Sequence, residues 1–214
     1  RPPRSTLFPY TTLFRSCLEK LVLKQLMNQV GGHLDPLQFA YRQNRGVDDA
    51  MLTLLHGIYK HLDVSGNFVR ALFLDFSSAF NTIIPHLLAN KLLEMRATPH
   101  IVLWIHNFLV DRPQSVKMGD ISSGTKVLSI GVPQGCVLSP ALFSLYTSEC
   151  ISENASCTII KYADDTVITG FLTTENTNDY IAVVRRFIEW CDANYVQLNV
   201  SKTKELIFDF RKKD

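Results

Sequence analysis

The chain has few cysteines and no long apolar run, and each shortage excludes a class of protein. Its five cysteines are odd in number, and no two have the spacing of a metal-binding pair. This pattern predicts free thiols in a reducing compartment, with no disulfide partner. No stretch reaches the ~18 apolar residues of a membrane span, and no basic segment precedes a short apolar run. We therefore expect neither a membrane partner nor a secretory leader.

A strong charge of one sign is also missing. The formal net charge is +2 in 214 residues, which excludes a strongly basic protein that coats nucleic acid. Positive charge is concentrated only near the C-terminus, at Lys202, Lys204 and the Arg211–Lys213 run. Hydrophobic residues make up 46% of the chain, which is enough for a substantial core in one large domain.

The first sixteen residues differ from the rest. The segment "RPPRSTLFPYTTLFRS" has no helical or strand period. Read back through the genetic code, it resembles one frame of a widely used short-read sequencing adapter. We therefore interpret residues 1–16 as a non-native, artefactual segment and base the expected fold on residues 17–214.

Apolar periodicity predicts alternating helices and strands after Cys17. Helices are predicted in "CLEKLVLKQLMNQV", in "AMLTLLHGIYKHL" capped by Asp48 or Asp49, after Thr98-Pro99, in "ALFSLYTSECI" and in "DYIAVVRRFIEWCDANY". Strands are predicted in "FVRALFLDF" and "ELIFDF", with hairpins formed by "SVKMGD" with "GTKVLSI" and by "CTIIKY" with "TVITGF". This order predicts an α/β (α+β) fold in which helices pack on one face of a sheet.

Carboxylates lie at the ends of two apolar strands. Asp75 ends the first predicted strand, and Asp164 and Asp165 occupy the turn of the second hairpin. Neighbouring carboxylates repel one another, and a divalent cation such as Mg²⁺ removes that conflict because it prefers hard oxygen ligands. The alternative is structural, since an aspartate in a turn often bonds nearby backbone amides.

Three motifs in order give the chain a family resemblance. "ALFLDFSSAFNTI", "GVPQGCVLSPALFSLY" and "YADDTVI" resemble the three central motifs of reverse transcriptases. "QFAYRQNRG" and "NVSKTK" resemble the flanking motifs. The resemblance covers nearly all of residues 17–210 and is closest to the polymerases of animal non-LTR (LINE-type) retrotransposons.

The resemblance implies a metal site. Asp75 and Asp164 would ligate two Mg²⁺ ions, for which Mn²⁺ is a possible substitute. Asp165 would be the third acidic residue, nearer the primer end, and the backbone carbonyl of Phe76 a further ligand. Asn81 stands where many relatives carry Asp, and we interpret this departure as tolerated.

The resemblance also implies residues that bind the nucleotide. Phe80 would be the steric gate that selects deoxynucleotides, although it could be an ordinary core phenylalanine. Gln134 and Gly135 would touch the incoming nucleotide and the template, although the loop could be a plain turn. Lys202 would protonate the leaving pyrophosphate, with Lys204 or a merely solvated lysine as alternatives.

Three residues are candidates for contact with template or primer. Arg42 and Arg45 would hold template phosphate, with a solvated loop as the alternative. Tyr162 would pack under the primer terminus, with a structural role as the alternative.

The fold implied by the resemblance is a right-hand polymerase palm with partial fingers, built on a ferredoxin-like or RNA-recognition-type sheet. The implied reaction extends a DNA primer with deoxynucleoside triphosphates on an RNA template. The life cycle of similar elements places it in the nucleus and cytoplasm. The family's fingers strands with a triphosphate-gripping arginine, its thumb, an endonuclease domain and a zinc knuckle are not found in this sequence.

Two other functions compete with this one. An RNA-dependent RNA polymerase shares the palm and its aspartates, but Ala163 and the bulky Phe80 argue against it. An inert transposon remnant would at most bind nucleic acid. Because residues 17–214 resemble only part of such a domain, we expect little or no polymerase activity from this chain alone.

Overall fold

The computed structural model describes residues 9–173 and 177–211. In chain order the elements are α1 (Pro9–Val30), α2 (Val47–Leu62), β1 (Phe68–Leu74), α3 (Pro85–Glu94), α4 (Pro99–Leu109), β2 (Arg112–Gln114), β3 (Lys117–Met118), β4 (Ile121–Ser122), β5 (Lys126–Leu128), α5 (Ser139–Tyr146), β6 (Cys157–Tyr162), β7 (Asp165–Leu172), α6 (Thr177–Ala193) and β8 (Lys204–Phe208).

These elements form two compact units. The helical unit comprises the chain up to residue 33 together with residues 80–146. The sheet unit comprises residues 34–79 and the chain from residue 147 onward. The helical unit therefore interrupts the sequence of the sheet unit.

The first helix is longer than predicted. We expected it to begin at Cys17, but α1 begins at Pro9 and so includes half of the adapter-like segment, whose residues 1–8 lie outside the described part. Proline is tolerated in a first helical turn because its missing N–H needs no partner there. The helix ends at Val30, before a 3₁₀ turn at Gly31–His33, as the paired glycines predict.

Two helix starts show how local signals succeed or fail. Thr98 caps α4 and Pro99 opens it, as predicted, and the Thr98 backbone N–H donates to Gln29 Oε1 at 2.8 Å. The predicted cap of α2 was wrong, because Gly46 takes that position. Asp49 lies in the first turn and accepts a hydrogen bond from the Gly46 N–H at 2.7 Å.

The first predicted hairpin was also wrong in its pairing. Lys117–Met118 pairs with Ile121–Ser122, and Lys126–Leu128 pairs with the earlier strand Arg112–Gln114. Two short ribbons replace the single hairpin because each strand is only two or three residues long and largely exposed. Without a buried face, alternation in the sequence does not specify the register.

The sheet unit holds a four-stranded antiparallel sheet in the order β6-β7-β1-β8. The predicted β6–β7 hairpin is confirmed, and so are the first and last predicted strands. The mixed α/β class with an antiparallel sheet is therefore confirmed.

Helices cover both faces of this sheet. The α2 face carries Val69, Ala71 and Val167, which form one core cluster with Ala50 and two further α2 residues, Leu54 and Ile58. The other face carries Gly170, against which the Tyr180 ring of α6 packs. Adjacent β7 residues are consequently buried on opposite faces, with Val167 7% and Ile168 0% exposed. The prediction that helices pack on one face of the sheet was therefore incomplete, because α6 packs on the opposite face from α2.

None of the helices formed by residues 9–173 and 177–211 is both long and apolar enough to span a bilayer.

Candidate active site

The three predicted carboxylates come to one edge of the sheet. In the antiparallel register of β1 and β7, Leu74 pairs with Thr166. One step further along this register, Asp75 lies opposite Asp165. Because β6 and β7 end with the pair Tyr162 and Asp165, the intervening turn places Asp164 at the same edge.

The turn itself has an unusual backbone. The pairing of Tyr162 with Asp165 leaves Ala163 and Asp164 as a two-residue loop. Ala163 has a φ of 58°, in the left-handed region that favours glycine. Two-residue hairpin loops require such a conformation to match the twist of their strands. An alanine in this position therefore carries backbone strain at the tip of the hairpin.

The site has a high density of negative charge. Partial desolvation raises the pKa of the largely exposed Asp165, and the negative charges of Asp164 and Asp75 raise it further. Partial desolvation also raises the pKa of the exposed Tyr41 phenol, and the charges of Asp164 and Tyr162 raise that pKa further. The charges of Asp164 and Asp75 therefore make Asp165 harder to ionise, which is the condition that a cation relieves.

Asp75 has an oxygen without a hydrogen bond. Its Oδ2 is buried and accepts no aligned hydrogen bond, although the Lys202 ammonium lies 3.2 Å away as an ion pair. No three histidine, cysteine or acidic side chains among residues 9–173 and 177–211 converge into a ready-made metal site. The structure therefore brings the carboxylates to one edge without forming a closed ligand cage.

The backbone next to Asp75 is held by a short pairing with residues 197–199. The Ser77 N–H donates to Gln197 O, and the Asn199 N–H donates to Asp75 O, both at 2.8 Å. This pattern flanks the antiparallel pair of Phe76 with Leu198. In such a pair the carbonyl of Phe76 points away from its partner strand. The Phe76 side chain is buried, and its ring stacks on the Phe187 ring with 6.2 Å between the ring centroids.

The two candidate lysines occupy different positions. Lys202 lies in a turn in which its N–H and that of Thr203 donate to Asn199 O. Its ammonium reaches Asp75 at 3.2 Å. Lys204 begins β8, where it pairs with Phe73, two residues before Asp75. Of the two, only Lys202 is brought to the carboxylates.

Phe80 belongs to the helical unit. Its ring lies 5.0 Å from the buried Phe143 ring in a tilted arrangement. The Phe80 carbonyl accepts a hydrogen bond from the Val132 N–H at 2.8 Å, and Ile83 O accepts one from the Gly131 N–H at 2.7 Å. The segment around Phe80 is therefore hydrogen-bonded to residues 131 and 132, which begin the glycine-rich loop "GVPQGC" (residues 131–136).

Gln134 and Gly135 lie in the exposed part of that loop. Gln134 lines a cavity of about 820 Å³, together with Asn81, Phe108, Arg112 and seven other residues of the helical unit. Gly135 has a φ of 76°, with open space where a Cβ would stand. Glycine is required here by the backbone conformation alone.

Arg42 and Arg45 are engaged with their own loop. Arg42 Nη1 donates to Asp35 O at 2.9 Å and to Gln38 O at 3.3 Å. Arg45 donates to Pro36 O, and its guanidinium lies 5.2 Å from the centroid of the Phe39 ring. Burial and the nearby Arg45 lower the pKa of Arg42. Both arginines therefore help to order the loop that carries them.

Tyr162 is half-buried and packs against the core cluster on the α2 face. Nearby, two buried polar residues were not among the predicted site residues: Gln38 and Lys161. Gln38 makes hydrogen bonds to the turn residue Ala163. One signal of this arrangement is visible in the sequence, where Lys161 is a charged residue inside the apolar strand "CTIIKY".

The predicted site residues divide between the units. The sheet unit holds the carboxylates, Phe76, Lys202, Tyr162 and both arginines, whereas the helical unit holds Phe80, Gln134 and Gly135.

Comparison with known protein families gives one match along most of the chain. A family model described as "Reverse transcriptase (RNA-dependent DNA polymerase)" matches residues 10–210. This range contains all of the motifs quoted above.

Curated relatives carry the same description. The RNA-directed DNA polymerase from mobile element jockey of Drosophila funebris is 28% identical over 205 residues, covering 89% of this chain and 22% of the relative. The probable RNA-directed DNA polymerase from transposon BS of Drosophila melanogaster is 25% identical over 177 residues, covering 78% of this chain and 19% of the relative. The chain thus spans about a fifth of the length of these relatives.

Solved structures show a similar fold. Apo telomerase from Candida tropicalis, truncated from its C-terminal domain, has a TM-score of 0.61 at 15% identity, covering 92% of this chain and 40% of that one. Telomerase from Candida albicans, solved with a fragment of telomeric RNA, has a TM-score of 0.57 at 12% identity, and the match covers 94% of this chain and 34% of the telomerase. At these identities the likeness concerns the fold alone, and it confirms the polymerase-palm class.

Proposed function

The chain belongs to the reverse transcriptase (RNA-dependent DNA polymerase) family, and from this premise we propose that it carries the palm of a non-LTR retrotransposon polymerase. The proposed reaction is extension of a DNA primer 3′-OH by deoxynucleoside triphosphates on an RNA template, with release of pyrophosphate. The observation that supports it most directly is the meeting of Asp75, Asp164 and Asp165 at one sheet edge. There, partial desolvation and the charges of Asp164 and Asp75 raise the pKa of Asp165.

Reverse transcriptases use divalent metal ions, and the residues at this edge fit such ions. Asp75 Oδ2 is buried beside one cation, the Lys202 ammonium at 3.2 Å, and accepts no aligned hydrogen bond. Repulsion of Asp165 by the other two carboxylates favours a further bound cation. Asp75, Asp164, Asp165 and the Phe76 carbonyl would hold two Mg²⁺ ions, or Mn²⁺ in their place. When bound, these ions activate the attacking hydroxyl and stabilise charge on the leaving oxygen.

Lys202 supplies a proton in this proposal. Its ammonium already lies next to the carboxylates, at 3.2 Å from Asp75 Oδ2. Its side chain is 68% exposed, so the ammonium can leave Asp75 and reach an oxygen of the departing pyrophosphate. Donation of its proton there would neutralise developing charge on the leaving group.

Residues of the helical unit bind the nucleotide in this proposal. The Phe80 ring, supported by Phe143, would exclude a ribose 2′-hydroxyl and so select deoxynucleotides. Gln134 and Gly135 would contact the incoming nucleotide and the template base. The open, positive-φ backbone at Gly135 lets the loop approach a ligand closely.

The remaining candidates would bind the template and primer. Arg42 and Arg45 order the loop before α2 and would present it to template phosphates. Tyr162, between the core cluster and the turn, would support the primer terminus. The proposed place of action is the nucleus and cytoplasm, where nucleic acid and nucleotides are available.

The test is primer extension on poly(rA)/oligo(dT) with Mg²⁺. We would compare the chain with a chimera in which residues 17–210 replace the matching segment of the Drosophila funebris jockey polymerase, each with and without Asp164→Asn. We expect little or no extension by the chain and Mg²⁺-dependent extension by the chimera, lost on Asp164→Asn.

Three outcomes would change this interpretation. Extension by the chain alone would refute its inactivity in isolation. A folded chimera that is inactive would favour an inert remnant. Preferential incorporation of ribonucleotides on an RNA template would favour an RNA-dependent RNA polymerase and contradict the gate role of Phe80.

A further inference from the structure

The turn that carries the catalytic carboxylates is held by a side chain far away in sequence. Gln38 is 1% exposed. Its Nε2 donates to Ala163 O at 3.2 Å, and its Oε1 accepts from the Ala163 N–H at 3.1 Å. The same Oε1 accepts from the Ala40 N–H at 3.1 Å. One amide group therefore satisfies both backbone groups of the strained residue in the turn.

The segment that carries Gln38 is attached to the edge of β6. The Phe39 N–H donates to Lys161 O at 2.9 Å, and the Lys161 N–H donates to Leu37 O at 2.8 Å. These bonds form a parallel bridge between Gln38 and Lys161. Residues 37–39 thus extend the sheet beyond β6, next to the catalytic turn.

A buried ion pair fixes this attachment. Lys161 and Asp35 are each 3% exposed, and Lys161 Nζ lies 2.9 Å from Asp35 Oδ2. The ammonium also donates to Thr147 O at 2.7 Å and Cys150 O at 2.8 Å. Burial of two charges costs much of what their attraction returns, so such a pair is a weak source of stability. Its geometric effect is to join the loop to β6 through two buried side chains.

The strain at Ala163 explains why the turn needs this support. A non-glycine residue at a φ of 58° persists only where its surroundings over-determine its conformation. Gln38 provides that constraint from the side of the turn, without an electrostatic charge that would disturb the carboxylates.

We propose that Gln38 is the positioning residue of the catalytic turn, and that the Asp35–Lys161 ion pair anchors the segment from which it acts. This inference rests on the proposed function, because the turn matters through Asp164 and Asp165. Gln38 touches neither nucleotide nor metal in this role. It fixes the Ala163 peptide and thereby the directions of the two carboxylates that follow.

Mn²⁺ binding measured by electron paramagnetic resonance tests this role without polymerase activity. Gln38→Met keeps the length of the side chain and removes its three hydrogen bonds. The matched control is Gln29→Met, which removes one amide–backbone hydrogen bond in the helical unit. Residues that orient metal ligands typically contribute about 10–100-fold to affinity. We expect a loss of this order for Gln38→Met and a change within about twofold for Gln29→Met.

Amide hydrogen exchange at Ala163 gives the second readout. We expect Gln38→Met to speed this exchange, because the Ala163 N–H loses its acceptor, while Gln29→Met leaves it unchanged. If Gln38→Met does not fold, Gln38→Asn gives the same comparison for both readouts. It keeps an uncharged amide, but its shorter side chain withdraws both the donor and the acceptor from Ala163.

The outcomes separate this proposal from the proposed function. Wild-type binding that Asp164→Asn abolishes but a folded Gln38 variant preserves would overturn the positioning role alone. Absence of wild-type Mn²⁺ binding, or binding insensitive to Asp164→Asn, would overturn the metal site and the positioning role with it.

Discussion

Gly131 offers the sharpest test of how the glycine-rich loop is held in place. It has a φ of 71°, and a Cβ at this position would stand 2.8 Å from Asn81 Cα and 3.0 Å from Asn81 O. Both obstacles are backbone atoms, so no side-chain rotation relieves the overlap. Gly131→Ala must therefore move the loop away from the segment that carries Phe80.

The cost follows from two terms. An alanine at this φ costs roughly 1–2 kcal/mol. Displacement of the loop breaks the hydrogen bonds from Gly131 N–H to Ile83 O and from Val132 N–H to Phe80 O, at about 1 kcal/mol each. The sum is about 3–4 kcal/mol, which corresponds to roughly 6–16 °C in the unfolding midpoint of a chain this size.

Gly119→Ala is the matched control. Gly119 belongs to the same unit and has a φ of 61°, with nothing within 4 Å of its would-be Cβ. Gly119→Ala should lower the free energy of unfolding only by the conformational cost of a positive φ, about 1–2 kcal/mol. Thermal unfolding followed by calorimetry measures both variants. Equal destabilisation by the two substitutions would refute the argument that backbone proximity, rather than φ, makes glycine necessary at position 131.

Three further predictions concern the sheet unit. Ala163→Gly should stabilise the chain by about 0.5–1 kcal/mol in urea unfolding, because relief of left-handed strain exceeds the added flexibility of glycine; a loss of stability would contradict this. The pKa of Asp165 is raised above its ordinary 3.8 in the folded state, so the contribution of Asp165 to metal-free stability should fall as the pH rises from below 3.8 through the folded pKa. Asp165→Asn should remove this contribution to the pH dependence of stability. Parallel plots of stability against pH for the wild-type and Asp165→Asn proteins would exclude Asp165 as its source. Tyr180→Phe removes the hydrogen bond to Glu205 at 2.7 Å and should cost about 1 kcal/mol at pH 7. The loss of unfolding free energy caused by Tyr180→Phe should become smaller as the pH falls through the lowered pKa of Glu205. Tyr59→Phe, at an exposed tyrosine, is the control and should leave stability unchanged.

The local sequence predicted the parts of the fold whose partners are close in the chain. The β6–β7 hairpin follows from two apolar runs that flank a turn, and its register alone puts Asp164 and Asp165 at the tip. The start of α4 follows from Thr98 and Pro99. These features depend on residues within one or two turns of each other, so short-range patterns suffice.

Features made by distant residues were not predicted. Burial of both Val167 and Ile168 shows that a second helix covers the sheet, but an apolar run does not say what covers each face. The contact of Gln38 with Ala163 spans 125 positions, so no local period reports it. Lys161 stands out in the sequence as a charged residue in an apolar strand. Its partner Asp35 was not identifiable, because the two residues are also far apart in the chain.

The order of the strands also determines when the site can form during protein synthesis. Strand β1 is complete at Leu74, but its neighbours in the sheet begin only at Asp165 and Lys204. At 5–20 residues per second, a ribosome needs roughly 5–18 s to make the intervening chain up to Asp165. During that interval Val69 and Ala71, which are fully buried in the folded unit, lack the strands that later flank them. Asp75 is therefore among the first site residues to be made, and it meets its acidic neighbours only after the whole helical segment 80–146 has been synthesised.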